Sequence, residues 1–211
     1  MRRRKIDNFG AWRDREKKAG RIKDNYPVFK KDGNLAELIG VVLGDGHIGR
    51  FPRCESLRIT GNSKNAGFTN RYANLVRVVF DKQPSVAKVR RCDATIITLY
   101  QKNISNRLGI PTGSRANHAF ALPEWISRSK KYRIRFLRGL YEAEGSECHH
   151  LPTSTHKLFF SNRNSALLTL VSDMVQQLGF KVNIYRFNVQ VSRQAEVQNL
   201  RNLLEFRHYE S

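Results

Sequence analysis

The sequence predicts an α+β fold made of two copies of one unit, related by a pseudo-twofold and ordered αββαββα in each copy. Two correspondences within the chain support this prediction. The segment LIGVVLGDGHIG (residues 38–49) recurs as FLRGLYEAEGSE (residues 136–147), about 100 residues later. The strand-to-helix sequence LRITGNSKN (57–65) recurs as LFFSNRNSA (158–166). Repetition at a fixed separation is typical of a duplicated structural unit.

The two recurring segments each predict a helix with one face of small residues and a carboxylate at its end. Small residues four positions apart share a helix face. They are Gly40 and Gly44 in the first segment, and Gly139 and Ala143 in the second. Such a face lets two helix backbones come close together. We therefore expect the two motif helices to pack at the centre, between two antiparallel saddle-shaped sheets, so that Asp45 and Glu144 meet at one end.

The elements of the first half follow from hydrophobic spacing and turn residues. A helix is expected over residues 35–45, capped by Asn34 and ended by Gly46 in the left-handed conformation. Alternation of Leu57 and Ile59 with polar residues favours a strand. The later elements are strands over 47–53 and 56–61, a helix over 65–80, a hairpin of 86–91 and 94–100, and a helix beginning at 105–108.

The second half repeats this order after a linker. Pro123 begins a short helix, and Gly145 is expected to end the second motif helix as Gly46 ends the first. A strand then leads into a helix over 165–178, closed by Gly179, followed by a hairpin of 181–186 and 188–191 and a helix over 193–206. The predicted divisions are a basic extension (1–34), a first half (35–109), a linker (110–122) and a second half (123–211).

The charge of the chain favours a polyanionic partner. Its 211 residues carry a formal charge of +20, from 38 basic and 18 acidic side chains. Nucleic acid is the first candidate. An anionic membrane surface is the alternative, but it would call for one basic amphipathic helix, whereas here the charge is spread along the chain. No apolar run approaches the length of a membrane span.

The remaining compositional features concern location and metal type. No secretory signal follows the first residues, so we expect a protein that is not secreted, located in the cytoplasm or nucleoid of a prokaryote or in an organelle. Three cysteines without a CxxC pair fit a reducing compartment. Zinc is an alternative at Cys148, His149, His150 and His156, although their spacing matches no established zinc pattern.

Residues 1–34 are basic and polar, with Trp12 and Tyr26 as the main large apolar side chains. A short charged helix is expected over residues 13–18. Two interpretations of this extension stand: a solvated tail, or an arm that lies along phosphates.

The strands leave polar side chains on the face away from the helices. Arg, Lys, Asn, Gln and Thr suit contacts to base edges and phosphates in a major groove. A solvated face is the alternative for any single residue, but two such faces with this charge favour double-stranded DNA. The expected DNA-contacting residues are Arg50, Arg53, Arg58, Thr60, Asn62, Lys64, Lys88, Arg90, Thr98, His149, Ser161, Arg163, Asn183, Tyr185, Arg186, Asn188 and Gln190.

The two terminal acids predict a divalent cation. A carboxylate at a helix C-terminus faces the negative end of the helix dipole, and two neighbouring carboxylates repel each other. A bound cation removes both penalties. Mg²⁺ prefers carboxylate, water and phosphate oxygens, and Mn²⁺ or Ca²⁺ can substitute in binding. Either acid alone could be an exposed helix-end residue, but the recurrence of Asp45 at Glu144 argues against that alternative.

The segments LIGVVLGDG (38–46) and LRGLYEAEG (137–145) resemble the two motifs of the LAGLIDADG homing endonucleases, and the resemblance extends over residues 35 to about 206. Two motifs in one chain resemble the monomeric, intron-encoded branch. The resemblance implies that Asp45 and Glu144 are catalytic metal ligands, helped by the carbonyls of Gly44 and Ala143. It also implies a catalytic basic residue at Arg163. The matching region of the first half holds Gly61, Asn62 and Lys64.

The resemblance implies a Mg²⁺-dependent monomer that cuts double-stranded DNA at a long, partly asymmetric site and leaves short 3′ overhangs. Intein splicing motifs are absent, so a free-standing or intron-encoded enzyme is expected. Two alternatives remain. One is an RNA maturase that assists splicing of its host intron RNA without using the acids. The other is a DNA-binding regulator that has lost cleavage, although such proteins usually lose an acid and this chain keeps both.

Overall fold

The computed structural model describes residues 9–21, 26–115, 118–150 and 155–209, without the side chain of His150. These residues form two four-stranded antiparallel sheets of the same topology, with strand orders β1-β2-β4-β3 and β5-β6-β8-β7. The predicted α+β class and the repeated αββαββα order are confirmed. Residues 1–8, which hold the basic start of the expected arm, lie outside the described residues.

The helices and strands follow one order in both units. A short charged helix, α1 (Gly10–Lys18), precedes them. The first unit consists of α2 (Gly33–Gly44), β1 (Gly46–Arg50), β2 (Glu55–Asn62), α3 (Ala66–Phe80), β3 (Ser85–Lys88), β4 (Ala94–Gln101) and α4 (Ile104–Leu108). After α5 (Glu124–Ser127), the second unit consists of α6 (Lys130–Glu144), β5 (Gly145–His150), β6 (Thr155–Ser161), α7 (Ser165–Gln177), β7 (Asn183–Ile184), β8 (Asn188–Val191) and α8 (Gln194–Leu204). In the described part of the chain, every helix is too short or too polar to cross a bilayer.

The motif helices α2 and α6 cross at the centre of the molecule, and small residues let their backbones touch. A Cβ added at Gly40 would collide with the backbone of α6, and one added at Gly139 would collide with the backbone of α2. Gly44 lies against Ala143 near the ends of the two helices. The helix ends that carry the acids are therefore held side by side.

The start of α2 differs from the sequence prediction. Asp32, not Asn34, is the capping residue: its Oδ1 accepts hydrogen bonds from the backbone N–H groups of Asn34 and Leu35, both at 3.0 Å. The helix therefore begins two residues earlier than expected, at Gly33. Both Asp and Asn are favoured at this position, and the sequence Asp-Gly-Asn offers one of each.

The predicted left-handed ends of the motif helices are wrong. Neither Gly46 nor Gly145 has a positive φ, and each begins a strand instead. Their missing side chain serves close packing, because a Cβ at Gly46 would overlap the backbone of Val42 and one at Gly145 that of Tyr141. Gly179, which was predicted to close α7, follows the end of that helix and has a φ of +96°.

Each sheet buries one face in the hydrophobic core. In the first sheet the buried side chains alternate along β2 and β4, as at Leu57, Ile59, Ile97 and Leu99. In the second sheet they are Leu158, Phe160, Val189 and Val191. We call these the covered faces, and the faces formed by the alternate residues of the same strands the open faces.

The N-terminal segment is anchored by Phe29 rather than by Trp12. Phe29 is buried and packs edge-on against Phe80, with ring centroids 4.9 Å apart. The guanidinium of Arg107 lies 3.7 Å from the centroid of Phe29 and donates to the carbonyl of Pro27 at 3.0 Å. By contrast, Trp12 is 47% exposed, and α1 has no buried residue.

Candidate active site

The acids Asp45 and Glu144 lie close together at the paired ends of α2 and α6. Asp45 caps the C-terminus of α2, and Glu144 is the last residue of α6. A Cβ built on Gly44 would come within 3.1 Å of the Cγ of Glu144, so the end of α2 closely approaches this acid. The Nδ2 of Asn162 donates to Oε1 of Glu144 at 3.1 Å and thereby orients it.

Both acids are held where ionisation is unfavourable. Water reaches Asp45, but protein atoms crowd around it, and this desolvation raises its pKa from 3.8 to about 7, with the charge of Glu144 as the second cause. Desolvation also raises the pKa of Glu144, while the hydrogen bond from Asn162 opposes that shift. Two carboxylates in this arrangement favour a cation between or beside them.

Two cavities border the acids. The Glu144 cavity, of about 790 Å³, is lined by Glu144, Gly44 and residues 161–164 at the turn between β6 and α7. The Asp45 cavity, of about 430 Å³, is lined by Asp45, Ala143 and residues 60–62 at the corresponding end of β2. The Glu144 cavity therefore joins the acid and the turn of the second unit to Gly44 of the first unit. The Asp45 cavity joins the acid and the turn of the first unit to Ala143 of the second unit.

The strand-to-helix turns align the two units. Oδ1 of Asn62 accepts the N–H of Lys64 at 2.9 Å, and Oδ1 of Asn162 accepts the N–H of Asn164 at 2.8 Å. Asn164 caps α7, as an asparagine in the first unit caps α3. Asn162 and Asn62 thus play the same part in the two turns. Counted along the strands, however, Asn62 corresponds to Arg163, because Ile59 and Phe160 each pair with a motif glycine. The first turn is one residue longer, and Lys64 and Arg163 each directly precede the helix cap.

The two basic turn residues have different surroundings. Arg163 is exposed and lines the Glu144 cavity. Lys64 is not among the described residues that line the Asp45 cavity; its Nζ lies 2.7 Å from Oδ2 of Asp93, and both side chains are largely exposed. The first unit therefore has a basic residue at the matching turn, but that residue pairs with Asp93 at the surface and does not line the cavity.

Two further arginines, which the sequence analysis missed, contact the backbone next to the acids. Nη2 of Arg115, in the predicted linker, donates to the carbonyl of Gly46. Nη2 of Arg207, beyond α8, donates to the carbonyl of Gly145 at 3.2 Å. Both glycines directly follow a motif acid. The two contacts join residues that are 69 and 62 positions apart in the chain. The one feature of the sequence that could have pointed to these arginines is that each follows the last helix of its unit.

The open faces contain many of the predicted DNA-contacting residues. Strand register pairs Arg58 with Thr98 in the first sheet and Asn183 with Gln190 in the second. The predicted residues on the open faces are Arg58, Thr60, Asn62, Thr98, Ser161, Asn183, Asn188 and Gln190. The same faces include His47, Ser146 and Lys157, which were not predicted. Alternation starting from the motif glycines would have identified His47 and Ser146.

Two predicted DNA-contacting residues of the first unit lie on the side of the covered face and not on the open face. Lys88 pairs with Thr95, which is buried on the covered face. Arg50 pairs with Glu55, whose carboxylate accepts hydrogen bonds from Ser105 in α4. Because side chains alternate strictly along a strand, the register between strands decides the face, and Lys88 and Arg50 point away from the open face although both are exposed.

In the second unit, the predicted DNA-contacting residue His149 also lies away from the open face. It pairs with His156, and the two rings stack with centroids 4.0 Å apart. Glu147, on the same face, approaches Arg201 of α8 at 3.5 Å, so His149 lies on the α8 side of the sheet. Four other predicted residues lie in turns rather than on a sheet face: Arg53, Arg90, Tyr185 and Arg186.

The donor groups at the helix ends fit a hard divalent cation. Asp45 and Glu144 supply two carboxylates, and the residues that precede them, Gly44 and Ala143, line the adjoining cavities. Over the described ranges, no three His, Cys, Asp or Glu side chains gather into a metal site, which also leaves the zinc alternative without support there. A cation at the two acids would complete its coordination with water and phosphate oxygens, as Mg²⁺ typically does.

Comparison with known proteins gives partial sequence matches. No protein-family model matches the chain. A tRNA-splicing ligase RtcB from Pyrococcus furiosus is 24% identical over 210 residues, covering 85% of this chain and 21% of the relative. An RtcB ligase from Methanopyrus kandleri is 28% identical over 130 residues, covering 55% of this chain and 13% of the relative. The chain thus spans about a fifth or less of the length of these relatives.

Solved structures match over most of the chain. The homing endonuclease I-DmoI in complex with DNA and Mn superposes with a TM-score of 0.57 at 18% identity, covering 82% of this chain and 96% of that one. The N-terminal LAGLIDADG domain of DUF199/WhiA gives 0.59 at 14% identity, covering 85% and 86%. The LAGLIDADG homing endonuclease I-LtrWI bound to target DNA gives 0.54 at 10% identity, covering 84% and 85%. At these identities the likeness establishes the fold, and the resemblance noted in the sequence is confirmed at that level.

Proposed function

We propose that this chain, which has the LAGLIDADG fold, is a divalent-metal-dependent endonuclease that cuts both strands of DNA at a long, asymmetric target and leaves short 3′ overhangs. The observation that carries the proposal is the convergence of Asp45 and Glu144 at the end of a helix pair flanked by two polar open faces. Endonucleases of the same fold have been seen with DNA and with Mn, Ca or Mg, which supports it.

DNA binding in this proposal uses the two open faces together as one saddle. The chain's charge of +20 favours the phosphate backbone. Arg58 and Thr98 on one face differ chemically from Ser161 and Asn183 on the other, so the two faces would read different base sequences. Gln190 lies on the second face as well but is buried. Because one chain carries both acids, we propose that it acts as a monomer, with residues 35–109 and 123–211 each contacting half of the target and 110–122 connecting them.

Asp45 and Glu144 are the proposed catalytic residues and metal ligands, with the carbonyls of Gly44 and Ala143. Mg²⁺, when bound, supplies an activated water and stabilises negative charge on the phosphate oxygens. The amide of Asn162 keeps Glu144 directed towards the site. Arg163 is positioned at the Glu144 cavity to donate to a phosphate oxygen, where charge-assisted hydrogen bonds are strongest.

The experiment that tests this function is a cleavage-site selection from a randomised duplex DNA library with Mg²⁺. Sequencing of the cut ends gives the target and the overhang together. On that target, Asp45→Asn and Glu144→Gln are expected to abolish cutting while binding in Ca²⁺ persists, because neither change removes a residue of the open faces. Asp173→Asn, at an exposed position of α7, is the matched control and should cut normally. Double-strand cutting by either catalytic variant would refute the assignment.

The same variants can also test whether the protein assists RNA splicing. If splicing of a host intron requires the protein and tolerates loss of both acids, the chain is a maturase rather than an endonuclease. We do not propose the ligase activity of the RtcB relatives, because the match covers so small a part of them. Action on DNA would place the protein in a nucleoid or an organelle.

A further inference from the structure

Arg115 joins the two units at the active site. Its Nη2 donates to the carbonyl of Gly46, beside Asp45, while its own carbonyl accepts a hydrogen bond from Nδ2 of Asn164 at 3.0 Å. Its side chain lines the Glu144 cavity. The linker arginine is therefore fixed by the backbone of the first motif and reaches the cavity of the second acid.

The guanidinium of Arg115 has unused donors. Nη1 is buried and has no hydrogen-bond acceptor among the described residues. An arginine carries five N–H donors, and a buried cationic donor without a partner is costly. A neutral donor would satisfy the carbonyl of Gly46 equally well. The positive charge at this position is therefore not explained by the folded chain alone, whereas a bound anion in the cavity would explain it.

Arg207 has the opposite arrangement to Arg115, because it contacts the backbone beside Glu144 and lines the cavity of Asp45. Its Nη2 donates to the carbonyl of Gly145, beside Glu144, and the residue lines the Asp45 cavity. Its backbone is fixed in the left-handed conformation, with φ 53°, by the hydrogen bond of its N–H to Oε1 of Glu142 at 2.6 Å. It is the sole cation among the described residues that line the Asp45 cavity.

We propose that Arg115 and Arg207 are further phosphate-binding groups of the two cavities, Arg115 acting beside Arg163, and that both come from outside the strands. Arg115 donates to the non-bridging oxygens of the phosphate cut beside Glu144, and Arg207 to those of the phosphate cut beside Asp45. This inference rests on the proposed function. It also supplies a basic group to the Asp45 cavity of the first unit, which Lys64 does not line.

The test measures the two strands separately. The selected target duplex carries a different fluorophore on each strand, and cleavage is followed under single-turnover conditions with Mg²⁺. Arg115→Gln retains a donor for the carbonyl of Gly46 but removes the charge, and it should slow one strand about 10²- to 10³-fold, the usual cost of losing one donor to a developing anion. Arg207→Gln should slow the other strand to a similar extent. Arg115→Lys should restore part of the lost rate, because it retains the charge.

A purely structural role would give a different result. Loosening of the helix ends would slow both strands equally, and this outcome, or an unchanged rate, would overturn the inference. Arg128→Gln is the control: Arg128 pairs with Glu124 at an exposed position, and its loss should leave both rates unchanged. If the wild-type protein cuts no duplex, the proposed function fails. The inference is then judged from binding in Ca²⁺, where each arginine change should reduce the salt slope by about 0.9, and unchanged slopes would refute it.

Discussion

Asp45 is expected to make the metal-free protein less stable as the pH rises. Its pKa is about 7 in the folded protein, against an ordinary value of 3.8, so between these values the folded protein holds a proton that the unfolded chain has released. The free energy of unfolding should therefore fall as the pH increases from about 4 to 7. Thermal unfolding in EDTA measures this dependence, and Asp45→Asn, which cannot titrate, should lose most of it.

Added Mg²⁺ should reverse this effect, because the cation binds the ionised carboxylates. Its stabilisation should be larger at pH 8 than at pH 5. Asp173→Asn is again the matched control, and its pH dependence should follow that of the wild type. Parallel unfolding curves for the wild type and Asp45→Asn across this pH range would show that Asp45 is not the group responsible.

Glu37 lies in the middle of α2 and holds three arginines around the helix pair. Its side chain is fully buried, with Nε of Arg71 at 2.7 Å, Nε of Arg135 at 2.8 Å and Nε of Arg138 at 3.7 Å. Removal of one partner of a buried ion pair typically costs about 3–5 kcal/mol, because the remaining charge is uncompensated. Glu37→Gln should therefore lower the free energy of unfolding, measured in urea, by about that amount.

A surface pair provides the comparison for Glu37. Glu124 pairs with Arg128, and both side chains are largely exposed. Exposed pairs contribute less than about 1 kcal/mol, so Glu124→Gln should change stability little. Equal losses for Glu37→Gln and Glu124→Gln would mean that the buried arginines find other partners.

At the level of elements, the crossing of α2 and α6 depends on glycine. A Cβ at Gly139 would collide with the backbone of α2, which cannot move without separating the two helices. Overpacking typically costs about 1–3 kcal/mol, and we expect Gly139→Ala to fall at the upper end of that range in urea unfolding. Gly33→Ala is the control, because its Cβ would meet the flexible side chain of Arg135 at 3.2 Å. Equal destabilisation by both changes would contradict the packing argument.

The elements that could be predicted from the sequence are those with local or repeated signals. The motif helices and the strand-to-helix turns recur in both units, and β2 and β4 show clear alternation. Gly46 and Gly145 mark a backbone constraint, but the sequence does not distinguish a positive φ from a close approach. The face of Lys88 depends on the register of β3 against β4, and no residue in that short edge strand specifies it.

The part of the site that could not be predicted is formed by long-range contacts. Asp45 and Glu144 were identifiable because they recur within a motif. Arg115 and Arg207 come from irregular segments, and their spacing to the motif acids differs between the units. Their positions depend on where the chain passes after α4 and α8, which only the assembled fold determines.

At the scale of the whole molecule, the N-terminal extension has two parts with different roles. Phe29 is buried against Phe80 and Arg107, so this part belongs to the first unit. α1 lies further out, where Arg13 and Lys17 line a groove together with Arg50 and Arg53. A truncation that tests the arm should therefore end before Tyr26, because a longer deletion would remove the Phe29 anchor as well.

Deletion of residues 1–21 should weaken DNA binding and leave the chemistry intact. This segment carries nine basic and three acidic residues, and each phosphate contact contributes about 0.9 to the slope of log K against log salt. If α1 lies along the backbone, the slope for a duplex in Ca²⁺ should fall, while the cleavage rate at saturating protein stays unchanged. The control is Lys130→Gln with Lys131→Gln, at the start of α6 about 20 Å from Glu144, which should preserve the slope. An unchanged slope after the deletion would identify the segment as a solvated tail.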